Sequence, residues 1–382
     1  MEQRFFEEEH QMFRESFRAF LQREVVPHQE VWREQGMVSR ELWLQAGEQG
    51  YLLPWAGEAY GGLGIRDFRY TQIEIEELMR IGETGFYLPL HSALVAPYIG
   101  NHGSEEQKKR ILPRCISGEC ILAVAMTEPG AGSDLAGMKA TATRRGDDWV
   151  LSGAKTFISN GQLADLVVVA AKTNPEQPRQ IGLFLVERGM AGFERGRHLK
   201  KLGMHSQDTS ELFFDNVVVP AANVLGDPSR GFHYLMQGLA EERLIAAATN
   251  IASCQAVFDM TLEYVQERRM FGRTLGSFQN TRFKMAEMRT EIDIAQVYVD
   301  SCVSQLNDDR LDPESAAKIK LFTSELQARV TDQCLQFFGG YGYMEEYAIC
   351  RAYADARITR IFGGASEVMK EIIARSVGLT EL

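Results

Sequence analysis

The sequence predicts an α+β protein of three domains, because the spacing of apolar residues changes twice along the chain. Residues 1–119 and 229–382 carry apolar residues at helical spacing, whereas residues 120–228 carry short apolar runs between turn-forming clusters. At 382 residues the chain is also longer than one ordinary hydrophobic core requires. We therefore predict an N-terminal helical domain, a middle antiparallel β domain and a C-terminal four-helix bundle.

The N-terminal domain begins with an aromatic stripe. Phe13, Phe17 and Phe20 are three or four residues apart, so they fall on one face of a helix. Ser104 stands three residues before Gln107, which is the pattern of a capping box and predicts the start of another helix. Further stretches with helical spacing cover residues 68–81 and 91–101.

The middle domain is predicted from five short apolar runs with turn clusters between them. The runs cover residues 121–126, 149–151, 166–171, 181–186 and 212–214. No helical pattern lies between consecutive runs, and parallel strands need such crossovers. The sequence therefore predicts an antiparallel sheet.

The C-terminal domain is predicted from four long segments with helical spacing. They cover about residues 231–268, 277–306, 313–338 and 364–376. Asp312 followed by Pro313 is typical of a helix start, with the acid as N-cap and proline at the first helical position. Four such helices are enough to form a bundle.

Composition excludes several classes of protein. The formal net charge of −11 argues against nucleic acid as the main partner. The six cysteines form no CxxC pair, and we expect no metal site. No apolar run reaches bilayer length, so no membrane span is expected. The acidic N-terminal stretch lacks the pattern of a secretory or transit signal, and we expect a cytoplasmic protein.

The segment 238–250 contains the first candidate for a catalytic residue. Its composition predicts a helix, and Glu242 falls on the apolar face while Glu241 is expected to point away from it. Burial disfavours an ionised carboxylate, so the pKa of Glu242 should rise toward the range of a general base. The alternative is a surface acid that forms an ion pair with Arg243.

A glycine-rich stretch, residues 125–137, directly follows the first apolar run. Its small residues would let backbone N–H groups approach a ligand, and Thr127 and Ser133 add hydroxyls suited to a phosphate or a heterocycle. The spacing is not that of a dinucleotide-binding fingerprint. A glycine-rich turn that joins two domains is the alternative.

Phe157 and Ser159 form a second candidate ligand surface. Two residues apart on a predicted strand, they point to the same side of the sheet. An aromatic face and a hydroxyl in that arrangement could pack on and hydrogen-bond to a flat ring such as a flavin. An ordinary half-buried strand would have the same pattern.

Two glycine- and arginine-containing turns complete the set of motifs. Residues 268–279 place three arginines and an aromatic residue between two predicted helices, which would suit a pyrophosphate and an adenine. Residues 336–347 end a helix with Gly339 and Gly340, which permit close backbone contact. A solvated basic corner and an ordinary helix C-cap are the respective alternatives.

These motifs, in this order, resemble the acyl-CoA dehydrogenase family along essentially the whole chain. The most specific matches are residues 125–137 and 336–355, and the long-chain branch is the most similar one. The resemblance implies the acyl-CoA dehydrogenase fold and FAD as cofactor. It also implies α,β-dehydrogenation of a medium- or long-chain or branched fatty acyl-CoA to the trans-2-enoyl-CoA. Further matching stretches are residues 101–107, 206–214 and 363–371.

The resemblance also implies where the catalytic base lies. Most family members carry it before the last long helix, directly after an aromatic residue, and here that pair is Phe362 and Gly363. The long-chain and isovaleryl branches carry it on the helix that opens the C-terminal domain, before an arginine, which matches Glu242 and Arg243. Glu242 would remove the α-proton while a hydride passes to flavin N5, and the backbone N–H of Gly363 would polarise the thioester oxygen.

The remaining site residues are also carried over from the family. Those implied to contact the flavin ring or pyrophosphate are Met126, Thr127, Ser133, Phe157 and Ser159. Those implied to bind the adenine half of FAD from a neighbouring subunit are Arg268, Phe271, Gln279, Gln336 and Gly340. Ala365 and Glu367 are also implied to contact the cofactor. The substrate would be contacted by Ser133, Arg243, Phe362 and Gly364.

The resemblance further implies partners and leaves rival functions open. It implies a homotetramer and electron-transfer flavoprotein as electron acceptor. Ala365 stands where many members have threonine, and Ser210 where some have arginine. Two alternatives remain: a flavin-dependent acyl-CoA oxidase or monooxygenase on the same fold, and a non-catalytic acyl-CoA-binding subunit.

Overall fold

The computed structural model describes residues 5–174, 176–177 and 179–379, and its N-terminal part is helical. The α-helices of this part are α1 (Glu8–Phe20), α2 (Gln29–Gln35), α3 (Arg40–Glu48), α4 (Phe68–Arg80), α5 (Ala96–His102) and α6 (Glu105–Ile116). Two π-helical segments, Leu21–Val25 and Leu90–Val95, follow α1 and precede α5. Short 3-10 turns cover Val26–His28 and Glu58–Tyr60.

The predicted aromatic stripe and capping box are both present. Phe17 and Phe20 are buried and Phe13 packs beside them. Ser104 Oγ accepts a hydrogen bond from the backbone N–H of Gln107 at 3.2 Å, and the backbone N–H of Ser104 donates to Gln107 Oε1 at 2.9 Å. The Gln107 amide also donates to two backbone carbonyls near residue 223. The helix start therefore also joins the N-terminal part to the β domain.

The middle part is a β-sheet with its own apolar core. Its strands are β1 (Leu122–Ala125), β2 (Thr141–Arg145), β3 (Asp148–Ser159), β4 (Leu166–Lys172), β5 (Ile181–Glu187), β6 (Phe193–His198), β7 (Thr209–Val219) and β8 (Val224–Leu225). Their order is β6-β7-β3-β2-β4-β5-β8, with β1 on β4. Side chains of β1, β2, β3, β4, β5 and β7 form that core.

The prediction of a wholly antiparallel sheet is wrong at β4, which pairs in parallel with both β1 and β2. Strand β1 pairs with β4 in parallel, with Leu122 opposite Leu166. Strand β2 meets the other end of β4, where Thr141 lies opposite Lys172, so β1 and β2 lie end to end along one neighbour. In the sequence, the β2–β3 hairpin lies between β1 and β4. It takes the place of the crossover helix that usually connects two parallel strands.

The C-terminal part is helical again. Its elements are α7 (Gly231–Glu267), the hairpin β9 (Arg269–Met270) and β10 (Arg273–Thr274), then α8 (Gln279–Asn307), α9 (Pro313–Phe338), α10 (Ala348–Ala356) and α11 (Ser366–Ser376). Asp312 caps α9 as predicted, because its Oδ1 accepts a hydrogen bond from the backbone N–H of Ser315 at 2.8 Å. Within the described ranges, no helix has the length and apolar character that a bilayer crossing requires.

Helix α7 is the central helix of the molecule. It packs against α4 of the N-terminal part as well as α8 and α9. Residues 243–254 of α7 are buried without interruption, which is the pattern of a helix enclosed on all sides. This enclosure determines the surroundings of the two carboxyl groups that come directly before the buried run.

Candidate active site

Glu242 lines a cavity of about 250 Å³ between α5 and α7. The N-terminal domain therefore supplies one wall and the C-terminal domain the other. Residues of the π-helical segment 90–95 and of α5 line the first wall: Ala93, Leu94, Pro97, Tyr98, Asn101 and His102. Residues of α7 line the second: Tyr234, Gln237, Gly238, Glu241 and Glu242.

The carboxyl group of Glu242 has the environment expected of a base. Its Oε2 atom is buried and has no hydrogen-bond partner among the described residues. Burial raises the pKa of Glu242, whereas the charges of Arg243 and Lys320 act to lower it. Glu242 and Arg243 form no ion pair in the described part of the chain, so the surface-acid alternative is not supported. Arg243 is itself buried, and its Nε has no partner there either.

Glu241 corrects one prediction. It was expected to point away from the apolar face, but it lines the same cavity as Glu242. Burial raises the pKa of Glu241 to about 7. Adjacent positions on a helix differ by about 100° in direction. Glu241 and Glu242 both line the cavity because α5 covers the side of α7 that carries Glu241. The helical spacing of apolar residues had predicted that this side faces solvent.

Gly363 lies beside the Glu242 carboxyl group. A Cβ atom built on Gly363 would lie 3.9 Å from Glu242 Oε1 and 4.0 Å from the Ala246 Cβ. Gly363 has φ +58° and Gly364 has φ +94°, and both values favour glycine over other residues. The two positions that the resemblance connects with a catalytic base, 242 and 363, therefore lie close together. Phe362, directly before this turn, is partly exposed.

Lys320 of α9 belongs to the same cluster, although no sequence motif predicted it. Its side chain is fully buried, and its Nζ donates a hydrogen bond to the carbonyl oxygen of Gly364 at 2.5 Å. Burial, and then the charge of Arg243, lower the pKa of Lys320 to about 8. A signal was present, because Lys320 shares the helical spacing of Ala316, Ala317, Thr323, Ser324 and Gln327, which are all buried.

Phe157 lies at a bulge in β3. The register between β3 and β7 shifts between Lys155 and Ile158, and Phe157 has φ +60°. Its side chain is 67% exposed, an unusual fraction for a phenylalanine, while Ile158 is buried. Ser159 is partly exposed, as predicted for a residue on the side of Phe157. The backbone N–H of Thr156 donates to the carbonyl of Thr127 at 2.9 Å, which joins this bulge to the glycine-rich stretch.

A buried ion pair shapes the glycine-rich stretch, and it too was missed from the sequence. Lys155 Nζ lies 2.9 Å from Glu128 Oε1 and donates to the Met126 carbonyl at 3.0 Å. Glu128 also accepts hydrogen bonds from the backbone N–H groups of Lys139 and Ala140. Burial alone would raise the pKa of Glu128, but these N–H donors and Lys155 lower it. The pair therefore fixes both ends of the loop.

The loop that this pair holds is open to a ligand. Ser133 is exposed, and a Cβ built on Gly130 or Gly132 would meet no atom within 4 Å. Backbone N–H groups beside such glycines can approach phosphate oxygens closely. The exposed ring of Phe157 and the accessible glycine loop therefore belong to one domain and are joined by the hydrogen bond from Thr156 to Thr127.

The residues predicted to bind the adenine half are only partly brought together. Arg268, Gln336 and Gly340 line one cleft of about 520 Å³, and the Arg268 guanidinium lies 5.7 Å from the ring centroid of Tyr341. Gln279 is the first residue of α8 and is not part of that lining. Phe271 lies in the turn between β9 and β10, has φ +51° and is 87% exposed.

The last turn before α11 places the remaining predicted residues. Ala365 is the N-cap of α11, and Glu367 lies exposed in its first turn. The Ser366 hydroxyl donates to Glu325 Oε1 at 3.1 Å and is buried. Ser210 is also buried, and its Oγ accepts a hydrogen bond from the Gln162 amide at 2.9 Å, so it belongs to the interior of the sheet domain.

Comparison with known proteins identifies the family. Three family models match: acyl-CoA dehydrogenase, N-terminal domain, at residues 7–119, middle domain at 123–217, and C-terminal domain at 229–378. The chain is 48% identical over 377 residues to mitochondrial long-chain specific acyl-CoA dehydrogenase of Rattus norvegicus, covering 98% of this chain and 87% of the relative. The chain therefore belongs to the acyl-CoA dehydrogenase family, whose members are FAD-dependent oxidoreductases.

Solved structures agree with this assignment. The crystal structure of an acyl-CoA dehydrogenase from Geobacillus kaustophilus matches with a TM-score of 0.96 and 45% identity, over 98% of this chain and 100% of that one. A chain of a structure described as the electron transferring flavoprotein of Acidaminococcus fermentans matches with a TM-score of 0.92 and 33% identity, over 98% and 99%. The predicted fold class, a helical domain, a β domain and a second helical domain, is confirmed.

Proposed function

We propose that the protein catalyses the FAD-dependent α,β-dehydrogenation of a medium- or long-chain or branched fatty acyl-CoA to the trans-2-enoyl-CoA, with Glu242 as the base. The observation that carries this proposal is the Glu242 carboxyl group, buried and unpartnered at Oε2 among the described residues. It faces a cavity and lies 3.9 Å from the position of a Cβ on Gly363. The 48% identity to a long-chain specific relative supports the substrate class.

The Glu242 carboxylate takes the α-proton of the thioester. A general base works best when its pKa lies near the operating pH, and burial moves the pKa of Glu242 in that direction. Arg243 and Lys320 oppose the rise and so keep the ionised form available. The backbone N–H of Gly363 is the proposed donor to the thioester oxygen, where negative charge develops as the proton leaves.

The residues of the middle domain fit FAD. Phe157 presents an exposed ring on a bulge joined to the glycine-rich loop, and the loop offers accessible N–H groups and the Ser133 hydroxyl. FAD, when bound, supplies the two-electron acceptor of the reaction. We propose that Met126, Thr127, Phe157 and Ser159 hold its ring and Ser133 its pyrophosphate. Ala365 and Glu367 stay predicted contacts, as do Ser133, Arg243, Phe362 and Gly364 for the substrate.

We propose that the acyl chain enters the cavity between α5 and α7. Ala93, Leu94 and Pro97 supply apolar surface on one wall, and Glu242 places the base on the other. The predicted domain divisions, 1–119, 120–228 and 229–382, would make this cavity an interdomain site. Enzyme clefts commonly form between domains.

We propose a homotetramer in which a neighbouring subunit completes the adenine site. Phe271 is 87% exposed in a short hairpin turn, which would be unfavourable unless another surface covers it. Phe283, Ile294 and Val297 of α8 are also exposed apolar residues. A Phe271→Ala variant should keep its helical circular dichroism but lose FAD on gel filtration. Full retention of FAD, or a monomer by light scattering for the unaltered protein, would contradict this arrangement.

We propose electron-transfer flavoprotein as the electron acceptor, which the similarity to the Acidaminococcus fermentans chain supports. Anaerobic photoreduction followed by addition of either acceptor separates this role from that of an oxidase. Reoxidation should be fast with electron-transfer flavoprotein and slow with oxygen. Rapid turnover with oxygen would instead favour the oxidase or monooxygenase alternative. The cytoplasmic location stays a prediction from the sequence.

The base is tested with the Glu242→Gln variant of the FAD-loaded protein. Stopped-flow absorbance would follow flavin bleaching after anaerobic mixing with a panel of acyl-CoA thioesters. Loss of a general base should slow bleaching by about 10²- to 10⁴-fold while FAD stays bound. Glu263→Gln, an exposed acid further along α7, is the matched control and should bleach normally. Normal bleaching by Glu242→Gln would remove this residue from the reaction, and no bleaching of the unaltered protein would favour the non-catalytic alternative.

A further inference from the structure

Helix α7 presents two neighbouring carboxyl groups to one cavity, and the proposed reaction uses one of them. Glu241 lines the cavity beside Glu242. Across the ranges that the structure describes, Glu241 has neither an ion pair nor a side-chain hydrogen bond. Protein surrounds it closely enough that desolvation raises the pKa of its carboxyl group to about 7. Glu241 is only partly buried, so its carboxyl group is open to a ligand that enters the cavity.

Both walls of the cavity carry polar side chains, and one wall also carries the apolar residues Ala93, Leu94 and Pro97. The polar residues from α5 and α7 include Asn101, His102 and Gln237. A Cβ built on Gly238 would lie 3.2 Å from Tyr98 Oη, so the absence of a side chain there lets the tyrosine hydroxyl reach α7. The His102 ring stacks on Tyr234 with 4.0 Å between centroids. An unbranched alkyl chain would cover these groups without pairing any of them.

We infer that Glu241 recognises a hydroxyl group on the acyl chain, so that the preferred substrates are hydroxylated fatty acyl-CoA thioesters. The inference rests on the proposed function, because it takes the cavity as the acyl site. A carboxyl group can accept a hydrogen bond from a hydroxyl in its ionised form, and can also donate one when protonated. The substrate hydroxyl pairs with the Glu241 carboxyl group, which an unsubstituted acyl chain leaves unpaired. This hydrogen bond adds affinity for the hydroxylated substrate and selects it over the unsubstituted one.

The test compares substrates of equal length in the FAD-loaded protein. Dodecanoyl-CoA would be measured against a series of its hydroxylated isomers, each with the hydroxyl on a different carbon beyond the reacting pair. In the unaltered protein, kcat/KM for the best isomer should exceed that for dodecanoyl-CoA by at least about 10-fold, as one hydrogen bond to a charged group allows. Glu241→Leu should abolish this ratio by lowering kcat/KM for the hydroxylated isomer, and Glu241→Gln should retain part of it.

A binding measurement makes the result independent of the chemistry. In a Glu242→Gln background, the flavin spectrum would report dissociation constants for the same thioesters with and without the Glu241→Leu change. We expect the hydroxylated isomer to lose about 10- to 100-fold in affinity and the unsubstituted chain to lose none. Glu241→Ala serves if the leucine variant does not bind FAD.

The outcomes separate the two proposals. Two ratios compare the hydroxylated with the unsubstituted thioester: that of kcat/KM and that of the dissociation constants. If both are the same with and without the Glu241 side chain, Glu241 does not recognise the acyl chain and the inference is overturned. If no thioester bleaches the flavin, or if Glu242→Gln bleaches normally, the proposed function fails. The ratio of dissociation constants still decides the role of Glu241 in that case.

Discussion

Replacing Lys320 by methionine should change the acidity of the base more than the stability of the fold. Methionine has a similar length and no charge, so Lys320→Met removes the ammonium group but fills the same space. Two interactions are lost: the hydrogen bond to the Gly364 carbonyl at 2.5 Å and the electrostatic attraction between the ammonium group and the Glu242 carboxylate. The first positions the turn that holds Gly363, and the second lowers the pKa of the Glu242 carboxyl group.

The effect on stability comes from two opposing contributions of similar size. The structure lowers the pKa of Lys320 from 10.5 to about 8, so keeping the ammonium group charged below pH 8 costs roughly 3 kcal/mol at 1.36 kcal/mol per unit. Its hydrogen bond returns about 1.5–3 kcal/mol. The free energy of unfolding at neutral pH should therefore change by less than about 2 kcal/mol. Between pH 8 and 10.5 the folded protein has lost the Lys320 proton that the unfolded chain still binds. The unaltered protein should therefore gain stability over this range, whereas Lys320→Met should not.

The effect on activity should be larger. Loss of a nearby opposite charge raises a carboxyl pKa by about 1–3 units, so the pH at which flavin bleaching is half-maximal should rise by at least about one unit. The assay is anaerobic stopped-flow bleaching across pH, beside urea unfolding of the same samples. Lys318→Met is the control, because Lys318 pairs with Glu314 at the surface of the same helix. An unchanged or lowered apparent pKa in Lys320→Met would refute the electrostatic coupling to Glu242.

Three further substitutions test separate parts of the site. Gly363→Ala should cost about 1–2 kcal/mol of unfolding free energy in urea, because of φ +58°, and should slow bleaching less than Glu242→Gln does; an equal loss of bleaching would contradict this. The folded state raises the pKa of Glu241 and favours its neutral form, so the unfolding free energy of the unaltered protein should fall as pH rises from about 4.5 through 7. Glu241→Gln should remove this fall, and parallel pH profiles of the two proteins would contradict the prediction. Lys155→Met leaves Glu128 buried without its cation, so the unfolding free energy measured in urea should fall by about 3–5 kcal/mol and the flavin absorbance should be lost. Unchanged values of both would show that the ion pair does not hold the loop.

Local sequence patterns predicted the elements with strong apolar periodicity and missed those without it. The capping box at Ser104 and the N-cap at Asp312 are local features, and both were found. Strands β2 and β6 read TATRR and FERGRH, and such polar strands carry no apolar run to indicate them. The parallel pairing of β1 with β4 was also missed, because it depends on contacts between distant segments that no local pattern contains.

The site shows the same limit. The position of Glu242 on an apolar face could be predicted because it depends on the spacing within one helix. The direction of Glu241 was predicted wrongly, because periodicity gives an angle around α7 but not what covers that angle. Lys320 was missed because lysine is rarely fully buried, and its partners, Glu242 and the Gly364 carbonyl, lie on other elements.

The short distance between Glu242 and position 363 is consistent with the proposal that the base of this chain lies on α7 and not before the last helix. A carboxyl group extended from residue 363 would occupy the space beside Glu242 Oε1, which lies 3.9 Å from the Cβ position. Two carboxylates that share one site raise each other's pKa, and one of them stays protonated. With Glu242 present, glycine at 363 therefore avoids a competing acid, adopts φ +58° without strain and keeps the N–H that we propose as donor to the thioester oxygen. If Glu242 is the base, as we propose, glycine at 363 is required beside it and is not the trace of a lost catalytic residue.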